Sequence, residues 1–200
     1  MKYLITLGIV AFAISGALKG IKKDMDILGV LVLGFSTALG GGIIADLLLG
    51  KTPPINLVYY PYPLTAFLSS LATFIFYKIF TNVKKPLIYA DAIGLAAFAS
   101  AGASLAYSIS PNPLLVMFIG TITAVGGGVI RDILSNETPL VLRREFYATA
   151  AIIGSLIYFA VRSVFNEASA LEFSFLITLT LRILAIRFNW ELPRREINSS

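Results

Sequence analysis

The sequence contains no cysteine and no histidine, and only 14% of its 200 residues are charged. Without cysteine there is no disulfide framework and no thiolate nucleophile or ligand. Without histidine the chain lacks the usual general base and the commonest metal ligand. Its eleven carboxylates are few for a hydrolase or a transition-metal site. The composition therefore argues against an enzyme, and we expect no cofactor.

Apolar residues dominate what is present. They make up 57% of the chain, and the mean hydropathy is +0.83. A soluble protein of this size has too little interior for so much apolar surface, and about 25% of its residues are normally charged. Several stretches approach the roughly 20 apolar residues that cross a bilayer as a helix. The chain is therefore predicted to be an all-α membrane protein.

Seven apolar segments are predicted to be transmembrane helices, with prolines between them. The predicted spans are residues 3–19, 27–49, 62–82, 87–107, 112–134, 145–165 and 172–190. The first segment resembles a signal peptide, but a nearly identical segment recurs inside the chain, so we expect a membrane helix there. Residues 1–200 are expected to form a single transmembrane domain.

Basic residues are distributed asymmetrically between the predicted connections. Alternate connections and the C-terminal tail carry eleven of them, namely Lys19, Lys22, Lys23, Lys78, Lys84, Lys85, Arg143, Arg144, Arg187, Arg194 and Arg195. The opposite side carries three, Lys2, Lys51 and Arg162. Cytoplasmic loops are enriched in lysine and arginine, so we predict a multi-pass protein of the cell membrane with its N-terminus outside and its C-terminus cytoplasmic. The net charge of +5 then reflects topology, and no nucleic-acid partner is expected.

The chain contains an internal repeat. Residues 8–17 match residues 94–103, and residues 40–46 match residues 126–132, both at an offset of 86 residues. Three spans per repeat is an odd number, so the second repeat must enter the membrane from the opposite side. The prediction is two inverted three-helix repeats, at residues 3–82 and 87–165, plus a seventh helix at 172–190. Such symmetry is common in transporters.

A glycine triplet lies at the same place in each repeat, in predicted spans 2 and 5. The six residues are Gly40, Gly41, Gly42, Gly126, Gly127 and Gly128. Glycine is costly in a helix interior, so one interpretation is a kink or break whose carbonyls border a polar path. The other interpretation is close helix packing through small residues. The symmetric placement favours the first interpretation.

Charged residues follow both triplets. Asp46 and Asp132 either face a pathway, as ionisable residues in spans usually do, or cap and solvate a helix end. Arg131 breaks the symmetry, because its counterpart is Ala45. It either acts as a gate or selectivity control on a conduction path, or pairs with a carboxylate or a lipid phosphate.

Hydroxyl side chains accompany the glycine-rich spans and would give a neutral polar lining. They are Ser15, Ser36, Thr37, Ser100, Thr121 and Thr123. Such a lining suits weakly bound monovalent ions such as K⁺ or Na⁺, and no other metal is expected. The alternative for any one of them is a hydrogen bond to a carbonyl of its own helix.

These paired segments resemble the TRIC family of trimeric intracellular cation channels, in its short prokaryotic branch. The resemblance covers residues 3–190. It implies a homotrimer with one pore in each protomer, permeability to K⁺ and other monovalent cations, and a pore bordered by the kinked second and fifth helices. The chain departs from the family motif at Ala45, where arginine is common. It also lacks the longer basic loops of animal members, so their regulation is not carried over.

Two functions remain after these considerations. The first is a passive K⁺-permeable channel with one pore per protomer, lined by helices 2 and 5. The alternative is a secondary transporter of a small solute such as glycine, because inverted repeats are equally typical of carriers. A scaffold without transport leaves two matched glycine triplets unexplained. The expected partners are further copies of the chain and membrane lipids, one of which is expected as a bound lipid.

Overall fold

A computed structural model describes residues 1–81, 85–143 and 146–190, and the regular elements within those ranges are all helices. They are α1 (Lys2–Lys22), α2 (Ile27–Leu48), α3 (Ile55–Val58), α4 (Pro61–Ile75), α5 (Tyr77–Thr81), α6 (Pro86–Ile109), α7 (Pro113–Leu134), α8 (Leu140–Arg143), α9 (Tyr147–Arg162) and α10 (Glu167–Phe188).

Five of these helices are long and apolar enough to cross a membrane: α1, α2, α6, α7 and α10. They coincide with five of the predicted spans. The predicted span 62–82 is wrong as one helix, because α4 ends at Ile75 and α5 begins at Tyr77. The helix in the predicted span 145–165 is shorter than expected, since α9 covers Tyr147–Arg162. Residues 82 and 145 lie outside the described residues.

Side-chain caps explain where the long helices begin. Asp26 precedes α2 and accepts a hydrogen bond from the amide of Gly29. Asn112 precedes α7 and accepts from two amides of its first turn, and Asn166 does the same for the Ser169 amide in α10. Short polar side chains at this position satisfy amides that the helix itself cannot. The starts of α2, α7 and α10 are therefore determined by residues within three positions of the first turn.

The two copies of the repeated segment pack against each other at the centre of the fold. The rings of Phe12 in α1 and Phe98 in α6 stack with centroids 5.3 Å apart. Glycines make room for both rings, since a Cβ on Gly94 would collide with the Phe12 ring and one on Gly8 would lie 3.0 Å from the Phe98 ring. Helices α2 and α4 lie beside α1, while α7, α9 and α10 lie beside α6. Sequence-equivalent residues thus form the central contact.

The glycine triplets do not interrupt their helices. α2 is continuous from Ile27 to Leu48, and α7 is continuous from Pro113 to Leu134. Of the predicted kink or break at the triplets, the break is therefore wrong, and the kink stays a prediction. The triplets remain helical because α2 and α7 meet there, and the contact between the two backbones stabilises both segments.

Candidate functional site

Helices α2 and α7 cross with their backbones in contact. A Cβ built on Gly41 would collide with the carbonyl oxygen of Thr123, and one built on Gly127 would collide with the carbonyl oxygen of Thr37. A Cβ on Gly126 would lie 3.1 Å from the Cα of Gly41. Gly41, Gly126 and Gly127 are all buried, so a side chain at any of them would push α2 and α7 apart. Close approach through small residues is the established way for membrane helices to associate.

A cavity of about 660 Å³ lies beside this crossing, and we call it the Asp46 cavity. Its wall includes Gly42, Asp46, Asn56, Tyr62, Phe98 and Thr123. The buried Asn56 side chain lies over Gly42, whose missing Cβ leaves the space that the amide occupies. Asn56 donates through Nδ2 to the carbonyl of Leu39 at 3.4 Å. Lys2 and Lys51 also border this cavity, which gives its rim a positive charge.

Towards the other end of α7 a buried ionic cluster is present, which we call the Arg131 network: Ser15, Asp91, Arg131 and Asp132. The guanidinium is fully buried. Its Nη1 lies 2.5 Å from Asp91 Oδ1 and 2.6 Å from the Ser15 hydroxyl oxygen. Its Nε donates to Asp132 Oδ1 at 2.9 Å. The network joins α1, α6 and α7 through one side chain.

Tyr147 of α9 extends this cluster. A Cβ on Gly128 would lie 2.9 Å from the Tyr147 hydroxyl and 3.6 Å from both Arg131 Nη2 and Asp91 Oδ1, so these polar groups converge over one glycine. Among the described residues, Asp91 Oδ2, Arg131 Nη2 and the Tyr147 hydroxyl are buried without a hydrogen-bond partner. Buried polar atoms of this kind are usually satisfied by ordered water. Unsatisfied polar atoms of three helices, α6, α7 and α9, therefore meet at one buried place.

The last helix, α10, contributes to the same cluster. Arg182 of α10 is buried, and its Cζ lies 4.6 Å from the centroid of the Tyr147 ring. A guanidinium over an aromatic face is attracted by the ring quadrupole. α10 is thereby connected to the Arg131 network through Tyr147.

The Asp46 cavity and the Arg131 network occupy equivalent places in the two repeats. The residues 86 positions before Asp91 and Arg131 are Ile5 and Ala45, and the residue 86 positions after Ser15 is Ala101. Ile5, Ala45 and Ala101 all line the Asp46 cavity. The same position in the fold is therefore open where its side chains are small or apolar, and filled where they are charged.

Asp46 and Asp132 both bind the backbone of the short helix that follows. Asp46 Oδ2 accepts from the Ile55 amide at 2.9 Å, and Asp132 Oδ2 accepts from the Leu140 amide at 2.8 Å. The first repeat has one extra residue here, Pro54, so Ile55 at the start of α3 and Leu140 at the start of α8 are equivalent and make the same contact. Of the two predicted roles, the capping interaction is present at both positions.

A second ionic contact lies at the end of the bundle near the Arg131 network. Glu137 follows α7, and its carboxylate oxygens lie 2.5 Å from Lys19 Nζ and 3.0 Å from Lys23 Nζ of α1. Hydrogen bonds from the two ammonium groups, that of Lys19 first, lower the pKa of Glu137 to about 2. This contact ties the end of one repeat to the other outside the apolar segments.

The predicted hydroxyls mostly bond within their own helices. Each of four donates to the carbonyl four residues earlier: Thr37, Ser100, Thr121 and Thr123. Ser15 instead accepts from Arg131, and Ser36 is half-buried. Thr123 is the one of these residues whose side chain also borders the Asp46 cavity. Gly40 lies against Ile130 at the helix crossing.

Asp91 and Tyr147 are residues of the Arg131 site that were not among the predicted ones. A signal existed for Asp91, because it is a lone carboxylate within the predicted span 87–107 and an ionisable residue there indicates function. Tyr147 is equivalent to Tyr62 only at an offset of 85 residues, since the first repeat has one extra residue before α3. An alignment at a constant offset therefore conceals that pair.

Comparison with known proteins assigns the family. The family model described as "Glycine transporter" matches residues 2–78 and 88–163. A membrane protein of Deinococcus radiodurans named UPF0126 is 41% identical over 199 residues, which cover 98% of this chain and 93% of the relative. The Escherichia coli K12 inner membrane protein YadS is 39% identical over 200 residues, covering 96% of this chain and 94% of the relative.

Solved structures of TRIC channels have the same fold. A TRIC cation channel at 70% identity superposes with a TM-score of 0.92 and covers 100% of this chain and 99% of its own. A prokaryotic TRIC channel in 0.5 M KCl, at 46% identity, gives a TM-score of 0.89 with 96% and 98% coverage. The TRIC orthologue from Rhodobacter sphaeroides, at 33% identity, gives 0.86 with 94% and 97%.

These matched structures are channels rather than enzymes, and they support a cation channel and a homo-oligomer. The curated relatives of this chain are bacterial membrane proteins, in agreement with its five long apolar helices. The predicted resemblance is confirmed at high identity over almost the whole chain. The chain belongs to the family of TRIC cation channels.

Proposed function

We propose that this protein is a K⁺-permeable channel for monovalent cations, with one pore in each protomer bordered by α2 and α7. The observation that carries the proposal is the pairing of the Asp46 cavity with the Arg131 network across the crossing of those two helices. One repeat leaves a polar opening and the other closes the equivalent place with a buried ion pair. A path that runs beside the crossing of α2 and α7 would connect the two.

The topology we propose has seven spans. The short helices α4 and α5 together form the third span, α9 forms the sixth, and α10 is the seventh. The repeats, residues 3–82 and 87–165, are inverted, with the N-terminus outside and the C-terminus in the cytoplasm. The matched contacts of Asp46 and Asp132 support the duplication, and the excess of basic residues on one side supports the orientation.

The Arg131 network is the closed gate of this path. The buried guanidinium, held between two carboxylates, blocks the path by filling the space that remains open in the first repeat. An ion pair of this kind is held by electrostatics in a low-dielectric interior, so breaking it requires the charges to gain water or another partner. Movement of Tyr147 or Asp91 would provide that water and open the path.

The predicted site residues then divide into two groups by position. Gly42, Asp46 and Thr123 border the open half, while Ser15, Arg131, Asp132 and Gly128 belong to the gate. Gly40, Gly41, Gly126 and Gly127 hold the two helices together. Of the remaining hydroxyls, Thr37, Ser100 and Thr121 bond to carbonyls of their own helices beside the path, and Ser36 is half-buried there. Permeating K⁺ or Na⁺ needs no further metal site.

A homotrimer in the cell membrane, surrounded by lipid, is the assembly we propose. The matched orthologue from Rhodobacter sphaeroides is named a trimeric channel. The many exposed leucine, isoleucine and phenylalanine side chains on the outside of the bundle suit contact with lipid or with another protomer.

The second candidate function is a secondary transporter of a small solute such as glycine. The description of the matching family model favours it. A cavity of about 660 Å³ also lies within the range of small-molecule sites. A carrier would have to open the Arg131 network and close the Asp46 cavity in alternation, whereas a channel needs only the first movement.

Single-channel recording of the reconstituted protein in asymmetric KCl separates these functions. A channel gives discrete openings that reverse near the K⁺ equilibrium potential, and Arg131→Ala changes their frequency or size. A bilayer that stays silent with folded, inserted protein, together with saturable glycine uptake into vesicles, would instead support the carrier. Arg187→Ala serves as a control because Arg187 belongs to the last turn of α10 and lines neither site.

A further inference from the structure

The Asp46 cavity lies where the other repeat holds an arginine side chain. In the second repeat the Arg131 guanidinium is fully buried, and its Nε donates to Asp132 Oδ1. The first repeat has Ala45 at the position of Arg131, while the carboxylate is retained, since Asp46 is the counterpart of Asp132. Both Ala45 and Asp46 border the cavity. The place of a buried cation is therefore open, beside the carboxylate that would bind it.

The Asp46 carboxylate is engaged through one oxygen. Its Oδ2 accepts from the Ile55 amide at 2.9 Å, just as Asp132 Oδ2 accepts from the Leu140 amide. Its Oδ1 is the counterpart of the oxygen that binds Arg131. Within the described residues this atom accepts no hydrogen bond, and no lysine or arginine lies within 4.0 Å of it. A buried charge without a partner is unfavourable, so Oδ1 is available to a cation that enters the cavity.

Two further side chains of the wall can accept hydrogen bonds. Asn56 donates through Nδ2, whereas its Oδ1 accepts from no residue in the described part of the chain. Asn56 lies over Gly42, as the Tyr147 hydroxyl lies over Gly128 in the other repeat. Tyr62, the counterpart of Tyr147, borders the same cavity. The cavity thus offers a carboxylate, an amide oxygen and a phenol oxygen as acceptors.

A guanidinium matches such a set of acceptors better than an ammonium does. It is planar and presents several N–H donors in a fixed geometry that fits a carboxylate. It is also more weakly hydrated than an ammonium, so it loses less on entering a largely apolar cavity. The ligand that replaces the missing arginine is therefore expected to carry a guanidinium.

The border of the cavity favours a second group on that ligand. Lys2 and Lys51 both line it, and neither forms a salt bridge within the described ranges. Lys2 instead lies 5.2 Å from the centroid of the Tyr59 ring. Two cations repel a ligand that has only positive charge and attract a carboxylate. Apolar wall residues, including Phe98 and Leu105, suit a short methylene chain between the two groups.

We propose that the Asp46 cavity binds a short guanidino carboxylic acid, with its guanidinium against Asp46 and Asn56 and its carboxylate towards Lys2 and Lys51. An α-amino group, as in free arginine, would bring a further positive charge to the two lysines, so the class is guanidino acids without one. The bound guanidinium fills the first repeat as Arg131 fills the second. Binding itself does not depend on conduction, whereas closure of the path by the ligand rests on the function proposed above.

Isothermal titration calorimetry of the purified full-length protein at neutral pH tests the proposal, with 4-guanidinobutyrate as the probe. We expect it to bind at one site in each protomer. Two matched compounds each lack one group: 5-aminovalerate has an ammonium in place of the guanidinium, and propylguanidinium has no carboxylate. Each should bind at least about tenfold more weakly, because hydrogen bonds between charged groups are lost.

Substitutions at the two ends of the site should act differently on the probes. Asp46→Asn keeps an acceptor oxygen but removes the charge, so it should weaken both guanidinium compounds by about tenfold. K2Q/K51Q should weaken 4-guanidinobutyrate and strengthen propylguanidinium, since the lysines attract the carboxylate and repel the cation. Asp26→Asn is the matched control, because Asp26 caps the other end of α2 and does not line the cavity, and it should change neither affinity.

Ala45→Arg places a guanidinium in the first repeat from the chain itself. In folded protein this side chain should occupy the site and abolish binding of 4-guanidinobutyrate. If the variant does not fold, Asp46→Asn and the two matched compounds decide the question without it.

Three results overturn the proposal. The first is no binding of millimolar 4-guanidinobutyrate to folded, unmodified protein, and the second is unchanged affinity in folded Asp46→Asn. The third is equal affinity for 5-aminovalerate, which would mean a site for cations in general. The titration measures no ion flux, so a silent bilayer would contradict the channel and leave this site standing. Discrete K⁺ openings in a protein that binds no probe would do the reverse.

Discussion

Arg131 and Asp91 form a fully buried ion pair between α7 and α6, with Nη1 2.5 Å from Oδ1. In the other repeat the equivalent positions are Ala45 and Ile5, which line a cavity. A buried charge that has lost its partner is strongly unfavourable. If the space that the pair fills is to open, water or a neighbouring carboxylate must therefore replace the lost partner of each charge.

Asp91→Asn should both destabilise the protein and favour the open channel. Removing one member of a buried ion pair costs about 3–5 kcal/mol in soluble proteins, and Asp132 remains beside Arg131 to offset part of this. We expect a melting temperature lower by several degrees and a higher open probability in bilayers. Asp26→Asn, which keeps a capping side chain at the start of α2, is the control and should change neither.

An apolar pair at the same two positions distinguishes gating from simple damage. Asp91→Leu combined with Arg131→Leu leaves no buried charge, and such replacements are often neutral or stabilising. If the ion pair is the gate, the double variant should be folded yet have altered opening. Wild-type single-channel behaviour in a folded double variant would remove the pair from the conduction path.

Gly41→Ala and Gly127→Ala should weaken the contact between α2 and α7. In each case the new Cβ would collide with a backbone carbonyl, of Thr123 or Thr37, which cannot move without its helix. Overpacking of this kind costs about 1–3 kcal/mol, so folded protein and ion flux should fall together. Gly29→Ala in the first turn of α2 meets only the flexible Met25 and Asp26 side chains, and its melting temperature should match that of the unmodified chain.

Substitution of Asp46 separates a capping role from a charge role. Asp46→Ala removes the acceptor for the Ile55 amide and should cost about 1 kcal/mol, as the loss of a helix cap does. Asp46→Asn keeps an acceptor oxygen and removes the charge. A cap alone predicts that the asparagine variant conducts normally, whereas a lower K⁺ conductance in it would assign the carboxylate to the permeation path.

The contact of Glu137 with Lys19 and Lys23 predicts a pH dependence. Because the pKa of Glu137 is lowered to about 2 from 4.5, its contribution to stability is fully present above pH 4.5 and is lost as the pH falls towards 2. The side chain is partly exposed, so screening by salt should reduce the effect. Thermal melts at pH 6 and pH 3 should differ less for Glu137→Gln than for the unmodified chain, and an equal difference would exclude this contact as a cause.

Much of the fold could be read from the sequence because its causes are local or periodic. Runs of apolar residues placed all five long spans to within a few residues. The capping residues Asp26, Asn112 and Asn166 act over only three residues, although the last span was predicted to begin at 172 and begins at Glu167. The duplication was visible as an offset that holds through separate motifs.

Other features could not be read in this way. No proline or glycine lies next to Ile75, where α4 ends, so no local sequence signal explains why the helix ends there. The glycine triplets are compatible with both a break and a close crossing. Only the position of α7 against α2 distinguishes the two, since the collision partners of Gly41 and Gly127 lie in the opposite helix.

The sequence by itself determined that the chain is a helical membrane protein, because bilayer thickness and helix periodicity restrict what such apolar runs can form. The tertiary structure decided what the charged residues do. Arg131 is bonded to Ser15 from 116 positions away and to Asp91 from 40 positions away, distances at which neither spacing nor composition indicates a partner. Burial makes such pairing obligatory, but the packing of α1, α6 and α7 selects the partners.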